Sequence, residues 1–386
     1  MKLTAARPLL SVERLAAEQS VAVVSLLDET PVCKDLPVFI GAMRPNALDV
    51  PADPNTYPVV RMYRVPDVTV TGHSSLLDHG ATTFHHERFD PRHHVLGDEN
   101  FRTLTIDPQH STVRRLFPDP SPHRLDRAAV FTDALSYNYA HWLTEVLPKV
   151  ALFARHCALD EVACVVDADL HENIYRSLDL VLNGRHKLVR VPKDRRVVVG
   201  ELLHVGCTGY VPMEYRPPRP PAQSQGLFSG EALNQMAQGI LSRIGTSSPK
   251  AFARKIYVRR NSGVRCLANA EVLEQALQAI GFTIVEPEKL SFDEQVQTFA
   301  AADVIVGATG AAFANIIFAN KRSRIYVLMA EHAEMPYFYW TRLASCMGLN
   351  LKYVLCEQSD RFHKRFHADF VIPPAQVDAL IAEVSD

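Results

Sequence analysis

The sequence lacks two features that would fix its class at once. It has no apolar run as long as a membrane-spanning helix, which needs about 20 residues. It has no Cys-x-x-Cys pair, and its seven cysteines are an odd number scattered along the chain. These absences argue against a membrane protein, a zinc site and a disulfide scaffold. Reduced thiols and a cytoplasmic location are therefore expected.

An excess of charge of one sign is also missing. The formal net charge is -2, which gives no reason to expect a nucleic-acid partner. The composition, 47% hydrophobic and 22% charged residues, is ordinary for a soluble globular protein. A length of 386 residues predicts two domains.

The common nucleotide-binding fingerprints, GxGxxG and the Walker P-loop, are absent, which disfavours an NAD-dependent oxidoreductase. In their place stands "ADVIVGATGAAFANIIFAN", residues 302–320. We predict a buried strand at Val304–Val306, a small-residue turn over 307–310 and a helix that begins at Ala311. An open helix N-terminus after such a turn can hold an anion. A plain strand-to-helix turn is the alternative.

The strand and helix signals change along the chain. Residues from about 20 to 130 have the pattern of strands and turns, and beyond them helices and strands alternate. The Pro-rich segment Pro217–Gly226 is the predicted linker. We therefore predict an α/β protein with an N-terminal domain over residues 1–220, β-rich at its start, and a C-terminal domain over residues 221–386 built on a parallel sheet.

Two constellations could carry chemistry. His141 and Glu145 are four residues apart on a predicted helix that Pro148 should kink or interrupt, and a histidine beside a carboxylate suits general-base catalysis. Arg260 and Arg265 follow a predicted strand and could bind a diphosphate. The alternatives are an exposed i,i+4 pair and a solvated charged loop.

Metal binding is less well supported. The cluster "FHHERFDPRHH" is interpreted as a histidine-rich surface hairpin, because adjacent strand residues such as His85 and His86 point to opposite faces. The tripeptide Asp167–Asp169 is the other candidate, and the arginines provide a metal-free way to neutralise phosphate. No metal site is predicted, and a metal hydrolase stays a rival that metal analysis would test.

Four segments in order resemble glycosyltransferase family 61, in a bacterial form linked to capsule or surface polysaccharide. They are "NYAHWLTEVLPKV", "KIYVRRNSGVRCLAN", "GFTIVEPEKLSFDEQVQTFAAADVIVGATGAAFANIIFA" and "RIYVLMA". The resemblance implies a GT-B-like fold, with two Rossmann-like domains facing across a cleft. It also implies inverting, metal-independent transfer from a nucleotide sugar, expected to be a UDP-sugar, without any other cofactor. The acceptor would be a glycan or a lipid-linked glycan.

By position, the resemblance places the acceptor in the N-terminal domain and the donor in the C-terminal domain. It implies a catalytic role for His141 and Glu145, either of which could be the base, and an acceptor-side role for Asn138 and Trp142. The implied donor-binding residues are Arg260, Arg265, Asn269, Glu286, Gln295, Thr309, Gly310, Ala311 and Asn315.

Two positions depart from the family pattern. Many relatives have histidine where this chain has Thr309, and glutamate where it has Ala270, so neither role carries over. Peripheral association with membrane polysaccharide machinery is a further expectation. A non-catalytic protein that binds a sugar nucleotide or glycan is the alternative function, because a fold does not fix an activity.

Overall fold

The computed structural model describes residues 3–48, 50–51, 54–116, 122–157, 162–184, 187–218, 225–245, 252–359 and 367–385. The chain divides into two compact units. Unit 1 comprises Met1–Pro31, Thr56–Arg219 and Gly226–Met236, and unit 2 comprises Val32–Asn55, Pro220–Gln225 and Ala237–Asp386. Residues 219–224 of the predicted linker lie outside the described residues.

Unit 1 is rich in short strands, as the sequence predicted for its first part. Its strands are β1 (Arg7–Ser11), β2 (Ala22–Leu27), β3 (Thr30–Pro31), β4 (Thr56–Tyr57), β5 (Val60–Thr71), β6 (Leu77–His79), β7 (Thr82–His85), β8 (His94–Val95), β9 (Leu104–Asp107), β10 (Thr112–Arg115), β11 (His123–Val130), β12 (Ala163–Asp167), β13 (Lys187–Val191), β14 (Arg196–Val205), β15 (Gly209–Tyr210), β16 (Glu214–Tyr215) and β17 (Leu227–Phe228).

Most of these strands form one mixed sheet. Its order is β13-β12-β11-β14-β5-β6-β7-β1-β10-β9, with β2 also paired to β5. Strands β13, β12, β11 and β14 are parallel, and β5 runs antiparallel to β14. Valine-rich strands such as β12 are buried throughout, as strands covered on both faces require.

Unit 1 also contains helices. They are α1 (Val12–Gln19), α2 (Gly97–Asn100), α3 (Tyr139–His141), a π-helical turn (Trp142–Val146), α4 (Leu147–His156), α5 (Glu172–Leu182) and α6 (Gly230–Ile244), and the division between the units falls within α6. Ser11 caps the start of helix α1, because its side chain accepts from the Arg14 N–H. Its Val12 and Leu15 enter the main apolar core.

Unit 2 has the strand–helix alternation predicted from the sequence. Its strands are β18 (Lys255–Val258), β19 (Thr283–Val285), β20 (Val304–Ala308), β21 (Arg324–Ala330), β22 (Asn350–Gln358) and β23 (Phe370–Val371). Its helices are α7 (Ala270–Ala279), α8 (Phe292–Ala301), α9 (Tyr337–Met347) and α10 (Pro374–Ser385), with 3₁₀ helices at Pro287–Lys289 and Ala311–Phe318.

The sheet of unit 2 has the order β19-β18-β20-β21-β22-β23. Its first five strands are parallel, and β23 is antiparallel to β22. The chain goes from β18 to one neighbour, β19, and returns to the other, β20. The carboxyl ends of β18 and β20 therefore flank a topological switch point, which is where open α/β sheets bind ligands.

Both units are mixed α/β structures, so the predicted fold class is confirmed at that level, and the GT-B arrangement stays a prediction. The domain bounds at residues 220 and 221 also stay a prediction. Among the described residues, no helix is both long enough and apolar enough to cross a membrane.

One prediction about local structure was wrong, and another was right in place but not in type. The helix predicted to begin at Ala311 does begin there, but over Ala311–Phe318 it is a 3₁₀ helix and not an α-helix. The histidine-rich segment is not a surface hairpin at its start, because His85 and His86 are both buried. The ring of His86 packs edge-on against Tyr210. The sequence shows that His85 and His86 point to opposite faces of the strand, but it does not show that both faces are buried.

Candidate functional site

The predicted catalytic pair lies where the long helical segment of unit 1 is irregular. Asn138 caps its start, since its side chain accepts from the Ala140 N–H at 3.0 Å. The π turn follows at once, and the Leu147 N–H bonds to the Trp142 carbonyl five residues back. π turns within helices are frequent at functional sites. Pro148 lies within the first two residues of α4, so it interrupts the regular pattern as predicted.

The π turn brings His141 and Glu145 into direct contact. Nδ1 of His141 and Oε1 of Glu145 form a short hydrogen bond. The side chains are 18% and 13% exposed, so both are partly open to solvent. Burial alone would lower the pKa of His141, but the charge and hydrogen bond of Glu145, helped by the charge of Asp133, raise it above its usual value. The imidazole is thus a stronger base than a free histidine.

The raised pKa of His141 predicts how stability should vary with pH. The contribution of its imidazolium is fully present below the unfolded pKa of 6.5 and is lost as the pH rises through the folded pKa. The difference in unfolding free energy between the wild type and His141→Asn should therefore shrink as the pH rises above 6.5. Denaturant unfolding at several pH values measures it, and a constant difference would contradict the predicted shift.

The segment after β14 holds Glu145 in place. The Val211 N–H donates to Oε2 of Glu145 at 2.9 Å, and the Thr208 hydroxyl donates to its carbonyl at 3.4 Å. Gly209 lies between them, against the carbonyl of Thr144, where an ideal Cβ would overlap the oxygen. That carbonyl is the one that Pro148, lacking an N–H, cannot reach.

Gly209→Ala should therefore lower the free energy of unfolding by about 1–3 kcal/mol, the usual cost of overpacking. It should also lower activity, because any shift of the strand moves the Val211 N–H away from Glu145. Gly239→Ala is the matched control, since Gly239 lies within α6 with open space around its Cα and the change should stabilise by about 0.5–1 kcal/mol. Equal stability of both variants in urea unfolding would argue against the close packing at Gly209.

Trp142 is fully buried, and its Nε1–H donates to the Ser177 hydroxyl on α5 at 2.8 Å. A buried indole fixes the position of the π turn against α5, and its burial disfavours direct contact with an acceptor. Asn138 acts on the same helix start through its cap. The acceptor-side role of both residues stays a prediction.

The candidate donor site of unit 2 is built at the switch point. Arg260 follows β18, and its guanidinium donates to the carbonyls of Val264 and Thr309, both at 2.8 Å. It lies directly over Gly310, where an ideal Cβ would overlap Nη1. The backbone of Gly310 is extended, with φ 175°, so its lack of a side chain matters for space and not for conformation. Ala311 begins the 3₁₀ helix beside it.

Arg265 lies beside Arg260, at the end of the same turn. It adopts a positive φ of 54°, and its Nε has no hydrogen-bond partner in the part of the chain that the structure describes. Burial, followed by the charge of Arg265, lowers the pKa of Arg260 to about 10. Burial also lowers the pKa of Arg265. Two half-buried cations side by side repel each other, and a bound anion would relieve both.

The side chains of four other predicted donor-binding residues form hydrogen bonds inside unit 2. Gln295 is buried; its Nε2 donates to the carbonyls of Pro287 and Leu290, and its Oε1 accepts from Asn315 at 2.7 Å. Thr309 is buried, and its hydroxyl accepts from the Trp340 Nε1–H at 2.9 Å.

Asn269 binds the main chain of Ile372 with both amide atoms, at 2.9 and 3.0 Å. The contacts of Gln295, Asn315, Thr309 and Asn269 are with other parts of unit 2 and stabilise its structure. Direct contact with the donor stays a prediction for each of the four.

Glu286 is paired with cations of its own unit. Its carboxylate binds Lys289 at 2.6 Å and lies 3.6 Å from Arg259. The hydrogen bond from Lys289 is the main cause that lowers its pKa. Arg259 also forms a bidentate ion pair with Glu274 on α7, so it stabilises the fold. Its neighbour Arg260 contacts the carbonyls of Val264 and Thr309 instead.

Asp167, the first acid of the tripeptide weighed as a metal site, is fully buried. Its carboxylate accepts from the N–H groups of His73 and Asp133 and from the Ser136 hydroxyl. Burial raises its pKa to about 6. Asp167 thus ties together the loops that follow β5 and β11. Within the described ranges, no group of three or more His, Cys, Asp or Glu could hold a metal ion.

Lys149 is a residue that the sequence reasoning missed. It lines a polar cavity of unit 1 together with Glu145, His86 and Asp133. A signal was present, because residues 141, 145 and 149 follow one another at helical spacing in the segment quoted above. The clamp formed by Thr208, Gly209 and Val211 had no such signal, since it contacts Glu145 from more than sixty residues away.

Comparison with known proteins found a match to a family model. A search of curated proteins found no match. The family model described as Glycosyltransferase 61 matches residues 139–326, just under half of the chain. The matched segment contains the His141–Glu145 pair, Arg260, Arg265 and the turn at Gly310. Residues 139–326 are thus similar to glycosyltransferase family 61, and the match supports sugar transfer as the reaction class.

Proposed function

We propose that the protein is an inverting glycosyltransferase that moves a sugar from a nucleotide-sugar donor, expected to be a UDP-sugar, to a glycan acceptor. The observation that carries this proposal is the position of Arg260 over Gly310, with the charge of Arg265 close to it, at the switch point of unit 2. The family match supports sugar transfer as the reaction class. Capsule or surface polysaccharide synthesis is the proposed context.

The donor diphosphate would bind at the two arginines. Guanidinium groups bind phosphate oxygens in bidentate fashion, and the small residues at Gly310 and Ala311 leave room for the ligand next to the backbone. Arg260 now donates to the carbonyl of Thr309, so a phosphate would replace a neutral acceptor by a charged one. Charge builds on the leaving diphosphate in the transition state, and cations fixed in advance stabilise it.

The second requirement is a base for the acceptor hydroxyl. His141 and Glu145 form one hydrogen-bonded unit, held by the Val211 N–H and the Asn138 cap. In an inverting transfer the acceptor oxygen attacks the anomeric carbon in one step, so its proton must be accepted as the new bond forms. The pair in unit 1 would supply this base.

We further propose a cytoplasmic enzyme whose acceptor is a glycan or lipid-linked glycan and which associates peripherally with membrane polysaccharide machinery. No nucleic acid and no cofactor besides the donor takes part in this scheme. The near-neutral charge and the pattern of the cysteines support it.

A screen of nucleotide sugars tests the proposal. Donor binding to the folded state should raise the melting temperature, and slow hydrolysis of the same compound should release the nucleoside diphosphate. Stabilisation and hydrolysis by one nucleotide sugar, both lost in Arg260→Ala, would support the transferase. Binding without any turnover, with every acceptor tried, would favour the non-catalytic alternative.

Activity should persist without a divalent metal. The arginines supply the positive charge that a metal would give to the leaving diphosphate. Transfer measured in excess EDTA should equal transfer in untreated enzyme, and added magnesium or manganese should change it little. Loss of transfer in EDTA with recovery on adding manganese would contradict the metal-free scheme.

A further inference from the structure

A polar cavity of unit 1 lies beside Glu145. Its polar lining consists of Ser75, His86, Asp133, Glu145, Lys149 and Tyr210. A second cavity shares four of these residues, Ser75, His86, Asp133 and Lys149. Each has room for about one water molecule, which is also the size of one hydroxyl group. Glu145 belongs to the lining and His141 does not.

Several hydrogen-bond donors of this cavity are unused by the protein. The Tyr210 hydroxyl is buried and has no partner among the described residues. Lys149 makes no hydrogen bond or ion pair with them either. His86 accepts the Arg88 N–H at Nδ1, so its neutral ring carries the proton on Nε2. Buried polar groups rarely stay unpaired, so the cavity must be filled by water or by a polar ligand.

The charges of the lining restrict what that ligand can be. Two carboxylates, Glu145 and Asp133, face one ammonium group, Lys149. Burial lowers the pKa of His86, so this ring adds no positive charge at neutral pH. At a pH above the folded pKa of His141, whose imidazolium would otherwise offset Glu145, the lining carries an excess of one negative charge. That excess opposes a carboxylate or phosphate and tolerates a neutral hydroxyl.

We propose that this cavity receives the attacking hydroxyl of a neutral acceptor sugar, with Glu145 as its base and with Lys149 and Tyr210 as donors to the sugar oxygens. The inference rests on the proposed function and resolves which member of the pair is the base. His141 is then a positioning residue, which holds Oε1 of Glu145 through its Nδ1–H.

The step balances with these groups alone. The hydroxyl proton passes to the Glu145 carboxylate while the hydroxyl oxygen bonds to the anomeric carbon. The bond from that carbon to the diphosphate breaks, and its electron pair leaves on the diphosphate. Each carboxylate oxygen of Glu145 accepts one hydrogen bond from the protein and keeps a second lone pair for the proton.

Saturation-transfer NMR on the full chain tests the pocket without a donor. The probes are the methyl β-glycosides of glucose, galactose and N-acetylglucosamine, with methyl β-glucuronide as the charged counterpart. At least one neutral probe should bind, and the glucuronide should bind more weakly than methyl glucoside. Lys149→Met should weaken the bound neutral probe about tenfold or more, the effect of losing a hydrogen bond to a charged group.

Two further variants separate recognition from folding. Tyr210→Phe removes one oxygen and keeps the ring against His86, and it should weaken the same probe. Lys187→Met, at an exposed position on β13, should bind like the wild type. UDP affinity should be unchanged in all three variants, because its proposed site is in unit 2.

The outcomes are distinct from those of the transferase test. Absence of binding by every neutral probe, tighter binding of the glucuronide, or wild-type affinity in both Lys149→Met and Tyr210→Phe would overturn the pocket. Glycoside binding that depends on Lys149, in a protein that turns over no nucleotide sugar, would support the pocket and remove the proposed transferase.

Discussion

Glu145→Gln is expected to lower kcat for sugar transfer by about 10²–10⁴-fold, the usual cost of losing a general base. Glutamine keeps the size of the side chain, and its amide oxygen can still accept from the Val211 N–H, but it cannot take the proton of the acceptor hydroxyl. Donor affinity should stay near wild type, because the proposed donor contacts lie in unit 2. Steady-state kinetics with the donor found in the screen, beside calorimetric donor binding, measures both quantities.

His141→Asn serves as the matched comparison. If His141 only positions and polarises Glu145, His141→Asn should lower kcat less than Glu145→Gln does. It should also shift the pH dependence of kcat. Circular dichroism must show both variants folded. A Glu145→Gln enzyme with near-normal kcat would exclude Glu145 as the base and would leave the role to His141.

Arg260→Ala and Arg265→Ala should each weaken binding of the nucleoside diphosphate by about 1.5–3 kcal/mol, which corresponds to roughly tenfold to more than a hundredfold in Kd. Both guanidinium groups are half-buried at the switch point, so solvent screens them less than surface charges. Calorimetric titration of UDP into each variant measures the change.

Arg254→Ala is the control for these variants. Arg254 is an exposed arginine of the same unit that forms a surface ion pair with Asp303, and surface pairs of this kind contribute little. Its UDP affinity should match the wild type. Unchanged affinity in both Arg260→Ala and Arg265→Ala would remove the donor site from this turn.

The regular part of unit 2 could be predicted from the sequence, because its signals are local. Buried strands such as β20 and helices such as α8, which begins with a capping box at Ser291 and Glu294, are encoded within about ten residues. The predicted strands also placed Arg260 and Gly310 just after the ends of two strands. Their direct contact depends on the pairing of β18 with β20, which no local pattern reports.

The site in unit 1 was only partly predictable. The spacing of His141 and Glu145 indicated a pair, but an α-helical pattern does not reveal a π turn. The roles of Gln295 and Asn315 could not be predicted either. The sequence does not distinguish a polar side chain that contacts a ligand from one that pairs inside the protein, as these two do. Burial decides between the two, and burial is a property of the whole fold.

The π turn is equivalent to an α-helix that has gained one residue. Each residue of an α-helix advances the chain by about 100° around the axis. A deletion of one residue within 142–146 would therefore allow a regular helix, but it would rotate His141 by roughly that angle relative to the core face of α4. Natural variants of this chain should accordingly tolerate substitution in the turn far better than a change in its length.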